Sequence, residues 1–120
     1  MSTRRELFAG VMSGTSLDGI DAVIADFAGT GASPCTLLAA THVAFPAPLR
    51  AELLALQSEG PDEIVRAARA ANALADLYAK ALRDACEAAD VGARDVVAAG
   101  VHGQTVRHRP HEGWTLQINN

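Results

Sequence analysis

Residues 10–21 read Gly10-Val11-Met12-Ser13-Gly14-Thr15-Ser16-Leu17-Asp18-Gly19-Ile20-Asp21, and the reading of this stretch decides the fold. One apolar run, 7–12, leads into it and a second, 20–27, leads out, so two strands are expected. Between them, 13–19 carries the hydroxyls of Ser13, Thr15 and Ser16 and closes on Asp18-Gly19, a dipeptide favoured in tight hairpin loops. Gly14 and Gly19 let the backbone approach a ligand closely and present N–H groups to it, while the hydroxyls add donors. Such a loop can surround phosphate oxygens without any Lys or Arg.

A plain structural turn also uses glycine and serine, and short motifs of this kind match by chance. Two features go beyond that reading. The turn is longer than a hairpin requires, and Asp18 and Asp21 would repel phosphate unless a divalent cation lay between. Either carboxylate then offers a water-mediated anchor for Mg²⁺, which keeps several waters when bound. The stretch is not a Walker A loop, because no Gly-Lys-Ser/Thr follows and a strand comes next. Nor is it a nucleophile elbow, which needs strand–Ser–helix geometry.

Further along, 29–34 is rich in breakers and 37–45 reads as a third strand, giving an antiparallel meander. A short helix is expected from Pro48 to Gly60. Pro61 then fits a first helical turn, with Asp62 and Glu63 at the positive end of the dipole. Ile64, Ala68, Ala71, Leu74, Ala75, Tyr78, Leu82 and Ala85 recur at helical spacing as one apolar stripe, with a stop at Gly92. Arg66, Arg69, Lys80 and Arg83 form its solvated face. The run 96–101 reads as a buried strand that the polar segment 102–110 ends, and 114–118 alternates as one more strand. Three strands, helices and a further strand make an α/β plan of the ribonuclease-H kind.

The 120 residues have room for one core, with 49% hydrophobic and 20% charged residues. Aromatics are only 4%, so small aliphatic side chains must build that core. A net charge of −4 argues against a nucleic-acid partner. Cys35 and Cys86 suggest no disulfide framework, and with no base nearby Cys86 reads as a small residue near the helix end rather than a nucleophile. The polar start has no signal-peptide run and no stretch approaches ~18 apolar residues, so a cytoplasmic protein with no membrane segment is expected.

The segment His102-Gly103-Gln104-Thr105 follows a strand and so emerges at its carboxyl end, where open α/β sheets place ligands. Gln104 and Thr105 can bond hydroxyl or amide groups of a ligand, and Gly103 permits close approach. His102 can do the same, or can bond a neighbouring carbonyl. His102, His108 and His111 match no standard zinc spacing. Arg107, His108 and Arg109 read as a solvated or anion-facing loop, and Trp114 as a packing residue.

Met12-Ser13-Gly14-Thr15-Ser16-Leu17-Asp18-Gly19-Ile20-Asp21 resembles the opening signature of anhydro-N-acetylmuramic acid kinases. His102-Gly103-Gln104-Thr105-Val106-Arg107-His108 resembles that family's second early motif, and Thr115-Leu116-Gln117-Ile118 follows in order. The resemblance spans the whole chain but only the front part of such an enzyme. It implies the sugar kinase, Hsp70 and actin superfamily, with 1–120 as part of the phosphate-binding lobe of a two-lobe kinase. Gly14, Thr15, Ser16, Leu17, Asp18, Gly19, Ile20 and Asp21 would contact ATP, and Ser13, His102, Gln104 and Thr105 the sugar. The wider superfamily usually has an Asp where Met12 stands, so a metal-anchoring role would pass to Asp18 or Asp21.

The implied reaction opens 1,6-anhydro-N-acetylmuramic acid with water and phosphorylates O6, in peptidoglycan recycling. The base for that step belongs to a segment beyond Asn120, so the chain is expected to be a piece that is inactive alone. The family also implies a homodimer. Two other readings fit the same motifs: a nucleotide- or sugar-binding module without turnover, and a chaperone-like ATPase fragment. A longer native chain with an acidic catalytic residue favours the kinase, and sugar-independent ATP turnover the ATPase.

Overall fold

The computed structural model describes residues 4–29 and 33–120. The expected break at 29–34 therefore falls partly outside the described residues, as does half of the polar start. Strands β1 (Leu7–Ser13), β2 (Gly19–Asp26) and β3 (Thr36–Ala44) form the expected antiparallel meander. Two helices follow, α1 (Ala47–Ala55) and α2 (Glu63–Ala88). The chain then returns as β4 (Val96–Val101), parallel to β1, completing a mixed sheet of order β3-β2-β1-β4. Strands β5 (Gln104–Arg109) and β6 (Trp114–Ile118) pair as a separate antiparallel hairpin.

Alternation along β1 divides the sheet into two faces. Leu7, Ala9, Val11 and Ser13 point inward and are buried, while Met12 is 51% exposed. The inner face, with Ile20, Ala22 and Ile24 of β2, packs on α2 through Ala70, Leu74, Tyr78, Ala81 and Ala85. Alanine at three of these five positions lets the helix lie close to the sheet. Burying one large aliphatic side chain such as Leu74 stabilises by about 1.5–3 kcal/mol.

The opposite face is also apolar, with Phe8 and Phe27 in edge-to-face contact at 5.6 Å beside Val23 and Ala25. Strands with both faces apolar read as near-continuous hydrophobic runs, which is how β1 and β2 read. Beyond β2, the Asp26 carboxylate accepts the Ala28 and Glu6 amides at 2.9 and 3.1 Å. Those two bonds hold it below the usual carboxylate range.

Several expectations are corrected. Among the described residues β4 is not buried but lies at the edge of the sheet, with Val97 67% exposed. The polar segment after it does not end in a loop, because Gln104–Arg109 is a strand whose Gln104 and Val106 alternate inward. In α2, Ile64 is 87% exposed and Ala68 is exposed, since the first turns overhang the sheet. Pro61 lies outside the helix, and Asp62 precedes it with left-handed backbone and no side-chain cap.

The helix stops before Gly92. Asp90 takes the left-handed position (φ 53°), and the Asp90 and Val91 amides donate to the Glu87 and Cys86 carbonyls. This is a Schellman closure built on Asp instead of Gly. Cys86 packs partly buried against the core near that end, as expected. Arg66 is not simply solvated, because its guanidinium bonds Glu52 at 2.7 Å and the Pro61 carbonyl at 2.9 Å. Arg107 reaches from β5 to pair with Glu63, and Trp114 is 45% exposed instead of packed. Among the described residues, no helix is long and apolar enough to cross a membrane.

Candidate functional site: the β1–β2 hairpin and the strand end beside it

The five residues 14–18 join β1 to β2, longer than a minimal hairpin loop, as the sequence required. Leu17 N–H donates to the Gly14 carbonyl at 3.1 Å, closing a turn at the tip. Leu17 has left-handed backbone (φ 55°), yet its side chain is 3% exposed and belongs to the core. The tip is thus pinned by a buried leucine, while Thr15, Ser16 and Asp18 stay exposed. The amides of these three exposed residues donate to no protein acceptor among the described residues. Unbonded amides beside two exposed hydroxyls are donors of the kind that can hold an anion.

Gly19 closes the loop with φ 156°, and a Cβ there would lie 2.2 Å from the Val43 carbonyl oxygen. Only glycine fits between β2 and β3 at this point. Ile20 is wholly buried, so of the expected ATP-contacting residues Leu17 and Ile20 can offer only backbone. Asp21 lies within β2 and not in the turn, and its register partner on β3 is His42. His42 Nδ1 stands 2.9 Å from Asp21 Oδ1, so Asp21 has a structural partner that the sequence reading did not foresee.

The structure turns two of the expected sugar contacts inward. Ser13 is 1% exposed, with its hydroxyl 3.0 Å from the Tyr78 hydroxyl and 3.4 Å from the Gly103 carbonyl. Burial raises the Tyr78 hydroxyl above its usual range. Gln104 is fully buried, and its Nε2 donates to the Gly14 and Thr105 carbonyls at 3.3 Å each. Its Oε1 is buried without a partner among the described residues. Both side chains therefore hold the root of the hairpin against the 102–105 segment.

The other two expected contacts remain at the surface. His102 is exposed, and its Nδ1 lies 3.1 Å from the Gly103 carbonyl, which leaves Nε2 unengaged. Thr105 is half-buried, with Oγ1 accepting Gln117 Nε2 at 3.0 Å and its carbonyl accepting Gln57 Nε2 at 2.8 Å. Gly103 (φ 83°) needs glycine, because a Cβ would meet the Ile118 carbonyl at 2.9 Å. A hollow of about 480 Å³ opens between the ends of β1, β2 and β4, bordered by Met12, Asp21, Gly100 and His102. The two motifs, some 80–90 residues apart in sequence, thus meet at one end of the sheet.

Sequence reasoning missed Tyr78 as a partner of Ser13, His42 as a partner of Asp21, and Arg50, whose Nε donates to the Leu17 carbonyl at 3.1 Å. A tyrosine on an apolar stripe is a signal of sorts, since its hydroxyl needs a buried partner. Nothing in the sequence marks Arg50. Among the described residues, no three His, Cys, Asp or Glu side chains gather at one point.

The anhydro-N-acetylmuramic acid kinase family model matches residues 6–120. Curated relatives of that name include those of Variovorax paradoxus, 52% identical over 96% of this chain, and Bordetella petrii, 53% identical over 99%. The relative from Paraburkholderia xenovorans is 52% identical over 95%. The chain spans only about 31% of the length of the first two and 30% of the third. With both motifs at one end of the sheet and the family model matching nearly every residue, the chain belongs to the anhydro-N-acetylmuramic acid kinase family.

Proposed function

We propose that the full-length protein is an ATP-dependent kinase that opens 1,6-anhydro-N-acetylmuramic acid with water and phosphorylates O6, giving N-acetylmuramic acid 6-phosphate in peptidoglycan recycling. The observation that carries this reading is the hairpin tip, where the Thr15, Ser16 and Asp18 amides are free beside two hydroxyls. The printed name of the relatives supplies the substrate class. Residues 1–120 are then part of the phosphate-binding lobe of a two-lobe, ribonuclease-H-like kinase.

In this reading Gly14–Asp21 backbone and the Thr15 and Ser16 hydroxyls bind and orient the ATP phosphates. Phosphoryl transfer is mostly positioning and charge stabilisation, so a rigid set of donors is the main contribution this lobe makes. Asp18 and Asp21, both exposed, suit a Mg²⁺ that takes one or two carboxylates besides phosphate and water. Bound there, Mg²⁺ would neutralise phosphate charge. His102 Nε2 and Thr105 face the sugar side of the cleft, with Ser13 and Gln104 holding that segment to the hairpin. The base that activates water for ring opening comes from elsewhere in the full-length protein, so these 120 residues alone are inactive. The protein works in the cytoplasm, takes no nucleic acid or membrane partner, and forms a homodimer.

The test is the full-length protein with Mg-ATP and 1,6-anhydro-N-acetylmuramic acid, read by ADP release and by mass of the sugar product. A 6-phosphorylated, ring-opened sugar formed only when both substrates are present supports the reading. ATP binding without sugar-dependent turnover would replace it with a non-catalytic binding module.

A further inference from the structure

We propose that Arg50 is a positioning residue of the phosphate hairpin, a role that rests on the kinase reading above. Arg50 lies in the first turn of α1, and its Nε–H donates to the Leu17 carbonyl 33 residues earlier, at 3.1 Å. A peptide unit is planar, with its C=O and N–H pointing in opposite directions. Drawing the Leu17 carbonyl toward α1 therefore turns the Asp18 N–H away from it. That amide is one of the three that the protein leaves unused.

Gln104 acts in the same sense from the other side. Its Nε2 holds the Gly14 carbonyl, and that peptide's N–H belongs to Thr15, a second unused donor. Two carbonyls held toward the protein thus turn the two opposed amides away from it, toward an anion. The need for such ties is plain at Leu17, whose left-handed backbone is costly for a residue with a Cβ and persists only where surroundings hold it. The Leu17 side chain is anchored in the core, and its carbonyl is anchored by Arg50. Arg50 makes no ion pair among the described residues, so its guanidinium is not engaged elsewhere.

Arg50 is exposed, so replacing it leaves the core intact. The experiment compares wild type, Arg50→Ala and Arg50→Lys in the full-length protein. The readouts are the Mg-ATP dissociation constant, KM for each substrate, kcat and the thermal midpoint. Loss of a charge-assisted hydrogen bond predicts ATP binding weaker by about tenfold in both variants, with sugar KM and the midpoint nearly unchanged. Lysine keeps the charge but not the fixed Nε–H, so full rescue by Arg50→Lys would assign the effect to charge and overturn positioning. Unchanged ATP affinity in Arg50→Ala overturns it as well, as would equal losses for both substrates with a lowered midpoint. If wild type binds Mg-ATP without turning over sugar, the kinase reading falls while the ATP dissociation constants still decide for Arg50. If it binds no ATP, both fall.

Discussion

The hydroxyl of Tyr78, midway along α2, stands 3.0 Å from the hydroxyl of Ser13, the last residue of β1. Ser13 has one proton, and the Gly103 carbonyl at 3.4 Å can only accept, so the consistent arrangement has Tyr78 donating to Ser13. The core helix, the root of the hairpin and the second motif are thereby joined at one buried point. A sheet end that must keep donors in place for a phosphate gains from such a joint, because small misplacements are costly in catalysis.

Tyr78→Phe removes that joint while keeping the ring. A stability loss of about 1 kcal/mol is expected, read from urea midpoints of the full-length protein at pH 8. The pH dependence gives a second readout. Burial raises the folded Tyr78 pKa above the ordinary value of 10.0. Below about pH 10 both folded and unfolded states keep the proton, so the contribution is constant. Above it the unfolded state loses its proton first, so stability falls as pH rises through the folded pKa. Wild type should therefore weaken above about pH 10 more steeply than Tyr78→Phe. Equal slopes would count against burial of this hydroxyl.

Gly19→Ala places a methyl 2.2 Å from the Val43 carbonyl oxygen, backbone against backbone, where neither side can rotate away. β2 and β3 must separate at the foot of the hairpin, at a cost of about 3 kcal/mol, and ATP affinity should fall with it. Gly100→Ala is the control, because a Cβ there meets nothing within 4 Å. Its stability should stay within about 0.5 kcal/mol of wild type. Similar denaturation midpoints for the two variants would contradict the close approach at Gly19.

Asp90→Gly should stabilise. Asp90 occupies the left-handed position of the α2 Schellman closure, where glycine carries no Cβ penalty. The expected gain is about 0.5–1 kcal/mol in stability read from the denaturation midpoint, without change in either KM, since Asp90 lies past the end of α2, about three turns beyond the Ser13 contact at Tyr78. A loss of stability would mean that the Asp90 side chain does something its exposed position does not reveal.

What was legible in the sequence follows from how each signal is encoded. The hairpin, the meander and α2 show themselves through local period and turn chemistry, and the meander fixes its own register once two short loops are placed. β5 was illegible because Gln104, Thr105, Arg107, His108 and Arg109 are polar, and the strand is held by pairing with β6 and not by an apolar run. The exposure of β4 was illegible for the opposite reason: an apolar run reads as buried whether or not a further layer covers it. Burial of Ser13 and Gln104 depends on partners 65 and 90 residues away, which no local pattern announces. Type and spacing therefore pointed to the candidate site, while the division between exposed candidates and buried supports came only from the tertiary structure.

That division separates the two carboxylates that spacing alone left equivalent. Asp18 is exposed in the loop and accepts no hydrogen bond among the described residues, whereas Asp21 is paired with His42 on β3. A carboxylate free of protein partners can reorient toward a hydrated cation, and one already bonded to an imidazole must share its oxygens. Asp18→Asn should therefore raise the Mg²⁺ concentration needed for half-maximal ATP turnover by about tenfold, as loss of one charged anchor predicts. Asp21→Asn keeps an oxygen that can accept from His42 and should shift that concentration by only about twofold. Titrating Mg²⁺ at saturating ATP and sugar in the full-length enzyme measures both. A larger shift for Asp21→Asn would move the anchor to β2 and make His42 the residue that orients it.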